Sequence, residues 1–187
     1  MKTEKIAENI KEILQLIGDN NEREGLGGTP ERVAKMFKEV FRGYDENEKP
    51  KVTVFENGHD GISVDEMIID TGYFFSYCEH HMVPFFGNYF FSYIPDSKIV
   101  GISKIGRIVD YYSAKLQVQE RLTKEIVDEI ERIIEPKGVA LIIKARHLCK
   151  EMRGVKKYNS EMITSEMRGV FRDDDKARQE LLNIIKL

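Results

Sequence analysis

"EMIIDTGYFFSYCEHHMVPFFGNYFFSYIP", residues 66–95, decides how this chain is read. Two runs dense in β-branched and aromatic residues, "EMIIDTGYFFSYC" and "FFGNYFFSYIP", flank one short break, the pattern of neighbouring antiparallel strands. The break itself is Cys78, Glu79, His80, His81 and the residues just after them. It gathers one of the chain's 2 cysteines and two of its 4 histidines into four positions, so the strand pair frames a concentration of soft ligands.

Outward from that pair, "KVTVFE" before it and "KIVGIS" after it predict further strands. Next come "KIGRIVDYYSAKL" and "VQERLTKEIVDEIERII", both with helical periodicity, the second ending before Pro136, Lys137 and Gly138. "GVALIIKARHLC" predicts one more strand, followed by an irregular stretch rich in Gly, Ser and Thr. "DDDKARQELLNIIKL" closes as a helix opened by acids, which suit a helix N-terminus. At the other end, Ile6, Ile10, Ile13, Leu14 and Ile17 recur at helical spacing up to Gly18. After the loop "GDNNEREGLGG", the segment "TPERVAKMFKEVFRGY" offers Thr29 as N-cap and Pro30 at the first helical position, with Val33, Met36, Phe37, Val40 and Phe41 as an apolar stripe. Helices segregated from a mainly antiparallel sheet make an α+β fold, with the two middle helices covering one face.

At 187 residues, 41% hydrophobic and 33% charged, the chain suits one globular unit with a real core. No apolar run approaches the length of a membrane span, and the start "MKTEKIAENI" lacks the order of a signal peptide, so a cytoplasmic protein is expected. Two distant cysteines in a reducing compartment stay thiols. A net charge of -3 argues against a nucleic-acid partner and requires any anionic substrate to meet a local basic cluster.

Cys78 and His81 have the two-residue gap that lets a turn bring a thiolate and an imidazole onto one zinc ion. If the strand "GVALIIKARHLC" runs to its end, alternation puts Val139, Leu141, Ile143, Ala145, His147 and Cys149 on one face. The apolar face would then end in a third ligand, Cys149, with His147 beside it. Three protein ligands leave a tetrahedral ion one open position, the arrangement of catalytic zinc, with His80 and His147 as nearby bases. Buried, inert cysteines and satisfied histidines are the competing reading. Ser103 is placed to cap the helix that follows, where Lys104 and Arg107 would make a phosphate cradle or simply a solvated helix start. Glu120, beside Gln119, could accept two N–H groups from a planar ring, or serve only as a helix-start acid. Arg153, Arg32 and Lys35 each read singly as ordinary surface.

Taken in order, "EGLGGTPERVAKMF", "SYCEHHMVPFFG", "GISKIGRIV", "LQVQERLT", "HLCKEMRGV" and "TSEMRGVF" resemble GTP cyclohydrolase I over nearly the whole chain. The resemblance implies a tunnelling fold whose subunits join sheets into a barrel, with residues 1–50 a helical segment and 51–187 the catalytic domain. It implies a homodecamer with active sites at subunit boundaries, and conversion of GTP to 7,8-dihydroneopterin triphosphate and formate in tetrahydrofolate or tetrahydrobiopterin synthesis. One Zn2+ per subunit is implied on Cys78, His81 and Cys149, with His80 and His147 as acid–base groups and Ser103 near the ribose and phosphates. Glu120 corresponds to the carboxylate that grips guanine, with Gln119 beside it; Lys104, Arg107 and Arg153 to triphosphate binders; and Arg32 and Lys35 to two more from a neighbouring subunit. Glu79 is expected to support the metal site's hydrogen bonds. Lys150, Lys115 and Gly106 depart from the family pattern without touching these positions. The short stretch before the first helix predicts no feedback partner protein. A nitrile reductase of the same fold, a module with structural zinc, and a related enzyme with another pterin product are the competing classes.

Overall fold

A computed structural model describes residues 1–20 and 23–186. Two helices, α1 (Thr3–Leu16) and α2 (Thr29–Val40), pack on each other; the predicted loop joining them lies partly outside the described residues. A ribbon of β1 (Val54–Glu56) and β4 (Lys98–Val100) stands apart from the main sheet. The long strands β2 (Ile68–Cys78) and β3 (Pro84–Ile94) pair antiparallel, as their composition predicted. After α3 (Ser103–Ser113) and a two-residue strand β5 (Leu116–Gln117) comes α4 (Gln119–Ile134). Then follow β6 (Gly138–His147), a single turn α5 (Leu148–Glu151), β7 (Glu161–Gly169), α6 (Val170–Asp173) and α7 (Asp175–Ile185). The sheet order is β5-β2-β3-β6-β7, antiparallel except where β5 runs parallel to β2. Among the described residues, no helix is long and apolar enough to cross a membrane.

The core explains the architecture. Phe74 on β2, Phe85 and Phe91 on β3, and Leu141 and Ile143 on β6 share one sheet face and meet Ile105 and Ile108 of α3 and Leu122, Ile126 and Ile130 of α4. Helical periodicity and strand alternation thus bury one common apolar layer, as expected. The opposite face of β6 is covered near its start by Phe171 and Leu181, which close over Ala140. Farther along the sheet the same side opens, and Phe75 of β2 there is 64% exposed.

Three local expectations are corrected. Residues 161–169, read as irregular, form β7 and pair with β6 over nine positions. Their polar alternation hides them because β7 is the sheet's last strand and has little apolar surface to bury. Ser103 does not cap α3: Ile102 holds the cap position with no side-chain bond, and Ser103 is already helical. Thr29 likewise sits inside α2 behind Gly28, and its hydroxyl instead accepts from Arg32 Nη2 at 3.0 Å.

Buried charge in α4 makes a pH prediction. Glu129 is only 7% exposed, and Lys49 Nζ at 3.2 Å, Tyr112 OH at 3.1 Å and Arg132 Nη2 at 2.8 Å surround its carboxylate. Burial pushes its pKa up, but those donors outweigh it and hold it below the ordinary 4.5. A carboxyl whose folded pKa is depressed adds stability above its unfolded pKa and loses it as pH falls through the folded one. Glu129→Gln should therefore cost about 1–3 kcal/mol near neutrality, and the gap from wild type should shrink in acid. Urea denaturation at the two pH values measures both.

Candidate metal centre and active site

The site lies at one end of the sheet, where β2 turns into β3 and β6 ends. Cys78 closes the turn from both sides: its N–H donates to Val83 O at 2.9 Å and its carbonyl accepts from Met82 N–H at 2.8 Å. Met82 completes the reversal with φ of 53°, a left-handed geometry. β5 clamps the same turn from outside, pairing Gln117 with Cys78 and accepting from Glu79 N–H at 3.0 Å. That clamp had no signal in the sequence, because two residues are too few for a strand period.

β6 ends one step sooner than alternation predicts. The strand stops at His147, and Cys149 comes from α5 rather than from an extended chain. The turn is stapled to the strand by Arg146, whose Nε and Nη2 reach Glu151 at 2.9 and 2.6 Å. It brings Cys149 round so that its sulfur and the ligand atoms of Cys78 and His81 all lie within 4.8 Å of one another. The three residues picked out by spacing are therefore together in space. Cys78 Sγ also lies 3.8 Å from Nδ1 of both His80 and His81. Burial, and after it the hydrogen bond and charge of the adjoining Cys78 sulfur, push the Cys149 thiol up. Such a donor set suits a thiophilic divalent ion, which would hold both as thiolates.

Around this set stand most of the other candidates. His147 stacks on the buried ring of Phe85, centroids 4.6 Å apart and planes 4° apart. Burial pushes its pKa below the ordinary range, against the opposing charge of nearby Glu120. Glu120 is exposed in the first turn of α4, while Gln119 next to it is buried and bonded inside the chain. Arg153 Nη1 donates to His81 Nε2 at 2.9 Å. Glu79 pairs with Arg121, tying the turn to α4; Arg121 escaped sequence reading because a charged helix residue beside Glu120 looks like surface. Exposed Ser103 and Arg107, and half-buried Lys104, share the first turns of α3. Arg32 and Lys35 are exposed on α2. Among the described residues, no hydrogen bond or ion pair joins these five to the Cys–His–Cys set.

The sequence model of a family described as GTP cyclohydrolase I matches residues 6–186. The chain belongs to the GTP cyclohydrolase I family. GTP cyclohydrolase 1 of Wolinella succinogenes is 43% identical over 100% of both chains. That of Coxiella burnetii is 47% identical over 97% of both. That of Caldanaerobacter subterraneus subsp. tengcongensis is 45% identical over 97% of this chain and 96% of its own. GTP cyclohydrolase I enzymes are zinc-dependent, and Cys78, His81 and Cys149 form a possible metal site of matching chemistry.

Two departures from the GTP cyclohydrolase I pattern have local causes. Lys115 lies with Nζ 4.9 Å from the ring centres of both Tyr111 and Tyr112, a cation–π role away from the site. A side chain at Gly106 would bring a Cβ within 3.3 Å of Tyr89 OH, which donates to Asp70 at 2.9 Å. Lys150 is exposed. Because Arg146 and Glu151 hold the α5 turn, Arg146→Ala should weaken zinc binding about 10-fold while leaving the three ligands in place. Competition with a chromophoric chelator measures it.

Proposed function

We propose that this chain converts GTP to 7,8-dihydroneopterin triphosphate and formate at the end of the sheet, with Cys78, His81 and Cys149 holding zinc. The observation that carries the reading is that these three ligands converge within 4.8 Å beside a half-buried His147, whose pKa burial lowers, and an exposed Glu120. When bound, zinc supplies Lewis-acid activation of the water that attacks guanine C8.

The chain's own residues do the rest. Glu120 accepts hydrogens from N1 and the amino group of guanine, a donor pair that adenine lacks, so purine choice follows from one carboxylate. His147, a neutral imidazole, takes protons from reacting groups and returns them, and His80, exposed beside Cys78, serves the same chemistry from the solvent side. Opening the imidazole ring, releasing formate and rearranging the ribose all need repeated proton transfers, which suits histidines. Ser103 serves the ribose and phosphates, while Lys104, Arg107 and Arg153 neutralise the triphosphate. Arg32 and Lys35 complete that field from a neighbouring copy in a homodecamer, which accounts for their exposure on α2 in a single chain.

Incubation with GTP, with and without a chelator, tests this directly. Formate and a pterin that fluoresces after oxidation are expected only when metal is present; equal turnover by metal-stripped protein overturns the reading. Glu120→Gln should raise KM for GTP about 10–100-fold, since one acceptor becomes a donor facing the amino group. Steady-state kinetics at varied GTP measures it. His80 Nδ1, 3.8 Å from Cys78 Sγ, raises a second reading in which a fourth protein ligand closes the shell. X-ray absorption of the zinc protein separates the two by the number of nitrogen ligands.

A further inference from the structure

Gln119, the first residue of α4, is 1% exposed, so its amide makes its bonds within the chain. Its Nε2 lies 3.0 Å from Ile143 O, 3.1 Å from Met162 O and 3.1 Å from Thr164 Oγ1. Two of these are main-chain carbonyls, which accept and never donate. The amide nitrogen must therefore occupy that end and the oxygen the other. Gln119 Oε1 lies 2.8 Å from His147 Nε2. An amide oxygen only accepts, so Nε2 is the ring nitrogen that bears hydrogen. In the neutral ring, the lone pair is then on Nδ1.

Counting protons shows what holds the amide. Thr123 Oγ1 lies 2.7 Å from Gln119's own carbonyl oxygen, so the Thr123 proton goes there. The 2.7 Å contact between Thr123 and Thr164 must then be donated by Thr164, whose oxygen is left to accept from Gln119 Nε2, the two amide hydrogens being shared among Thr164 and the two carbonyls. The bonds form a closed ring with one direction, from the Gln119 amide to Thr164, to Thr123, and back to the Gln119 backbone. Reversing the amide would break this ring and face its oxygen toward two carbonyls. The stacked Phe85 ring holds the plane of His147 at the same time.

We propose that Gln119 is a positioning residue that fixes His147 as the Nε2–H tautomer, with Thr164 and Thr123 fixing Gln119, so that His147 exchanges protons with the nucleotide at Nδ1. The proposal deepens the reading above and rests on it for the role of His147. It replaces a substrate contact for the Gln119 side chain with an indirect one. It also gives β7 a part in the site, since Met162 and Thr164 belong to that strand.

The test uses zinc-loaded protein labelled with 13C and 15N histidine, examined by magic-angle-spinning NMR. There are 4 histidines, and the His147 signals are those missing from His147→Asn. Wild type is expected to show hydrogen on Nε2 and none on Nδ1. Gln119→Leu should give mixed tautomers and a kcat about 10–100-fold lower, with KM for GTP little changed. Thr164→Val should show the same trend if Gln119→Leu does not fold, and Thr164→Ser should recover most of what Thr164→Val loses. Hydrogen on Nδ1 in wild type overturns the proposal. So does an unchanged kcat in folded, zinc-loaded Gln119→Leu, or a raised KM alone, which would return Gln119 to substrate contact. A wild type that shows Nε2–H but does not turn over GTP supports the tautomer lock and overturns the reading above instead.

Discussion

Cys149→Ser is expected to lose zinc and, with it, all measurable turnover of GTP. Serine is nearly the same size, so the α5 turn held by Arg146 and Glu151 should form as before. What disappears is a soft thiolate. A hydroxyl does not ionise near neutrality, and zinc loses one of three protein ligands while the two that remain, Cys78 and His81, come from a single turn. Losing even an outer partner of a ligand costs about 10–100-fold in metal affinity, so losing a ligand should cost more than about 100-fold. Metal content after dialysis and kcat/KM for GTP measure the effect. Thermal unfolding should separate loss of metal from loss of fold: the variant should melt like metal-stripped wild type, because bound zinc stabilises only the protein that binds it. Full occupancy and activity in this variant would remove Cys149 from the ligand set.

Gly87→Ala should be among the most destabilising single-methyl changes in the sheet. Gly87 lies at the middle of β3, paired with Phe74 on one side and Ala145 on the other. A Cβ there would fall 2.0 Å from Lys144 O and 2.7 Å from Ala145 Cα, so main chain must move to admit it. Overpacking a core typically costs about 1–3 kcal/mol, and a clash with backbone belongs at or beyond the upper end. Against a total stability of about 5–15 kcal/mol that is a large fraction. Gly72→Ala is the informative comparison, since its Cβ would meet the Tyr89 ring at 2.6 Å, a side chain that can turn aside at the cost of its bond to Asp70. Chemical denaturation should rank Gly87→Ala well above Gly72→Ala. Because β6 carries His147 two residues beyond Ala145, the Gly87 variant should also lose activity where it still folds.

Much of the fold was legible from residues alone. The apolar stripes of α2, α3 and α4 and the β-branched runs of β2, β3 and β6 declare themselves because each buries a large face, and burial demands a repeating pattern. β7 and β5 did not. β7 is an edge strand whose exposed and half-buried residues alternate without a strong apolar contrast, and β5 is too short for any period. The misplaced caps at Ser103 and Thr29 have another cause: in both, the residue able to cap lies one position inside the helix.

The site divides in the same way. Cys78, His81 and Cys149 could be named from the sequence because a metal needs particular elements at its ligands, and few residue types supply them. Their convergence could not be derived by extending a strand, since the chain turns at Leu148 and a staple between Arg146 and Glu151 decides where Cys149 goes. Nor could the sequence tell the neighbours Gln119 and Glu120 apart. Both are polar at a helix start, yet one is sealed against β6 and β7 while the other faces solvent. Composition determines which chemistry is available to this chain. Only packing, by deciding which polar atoms are shut away from water and with what partners, determines which of those atoms remain free to perform it.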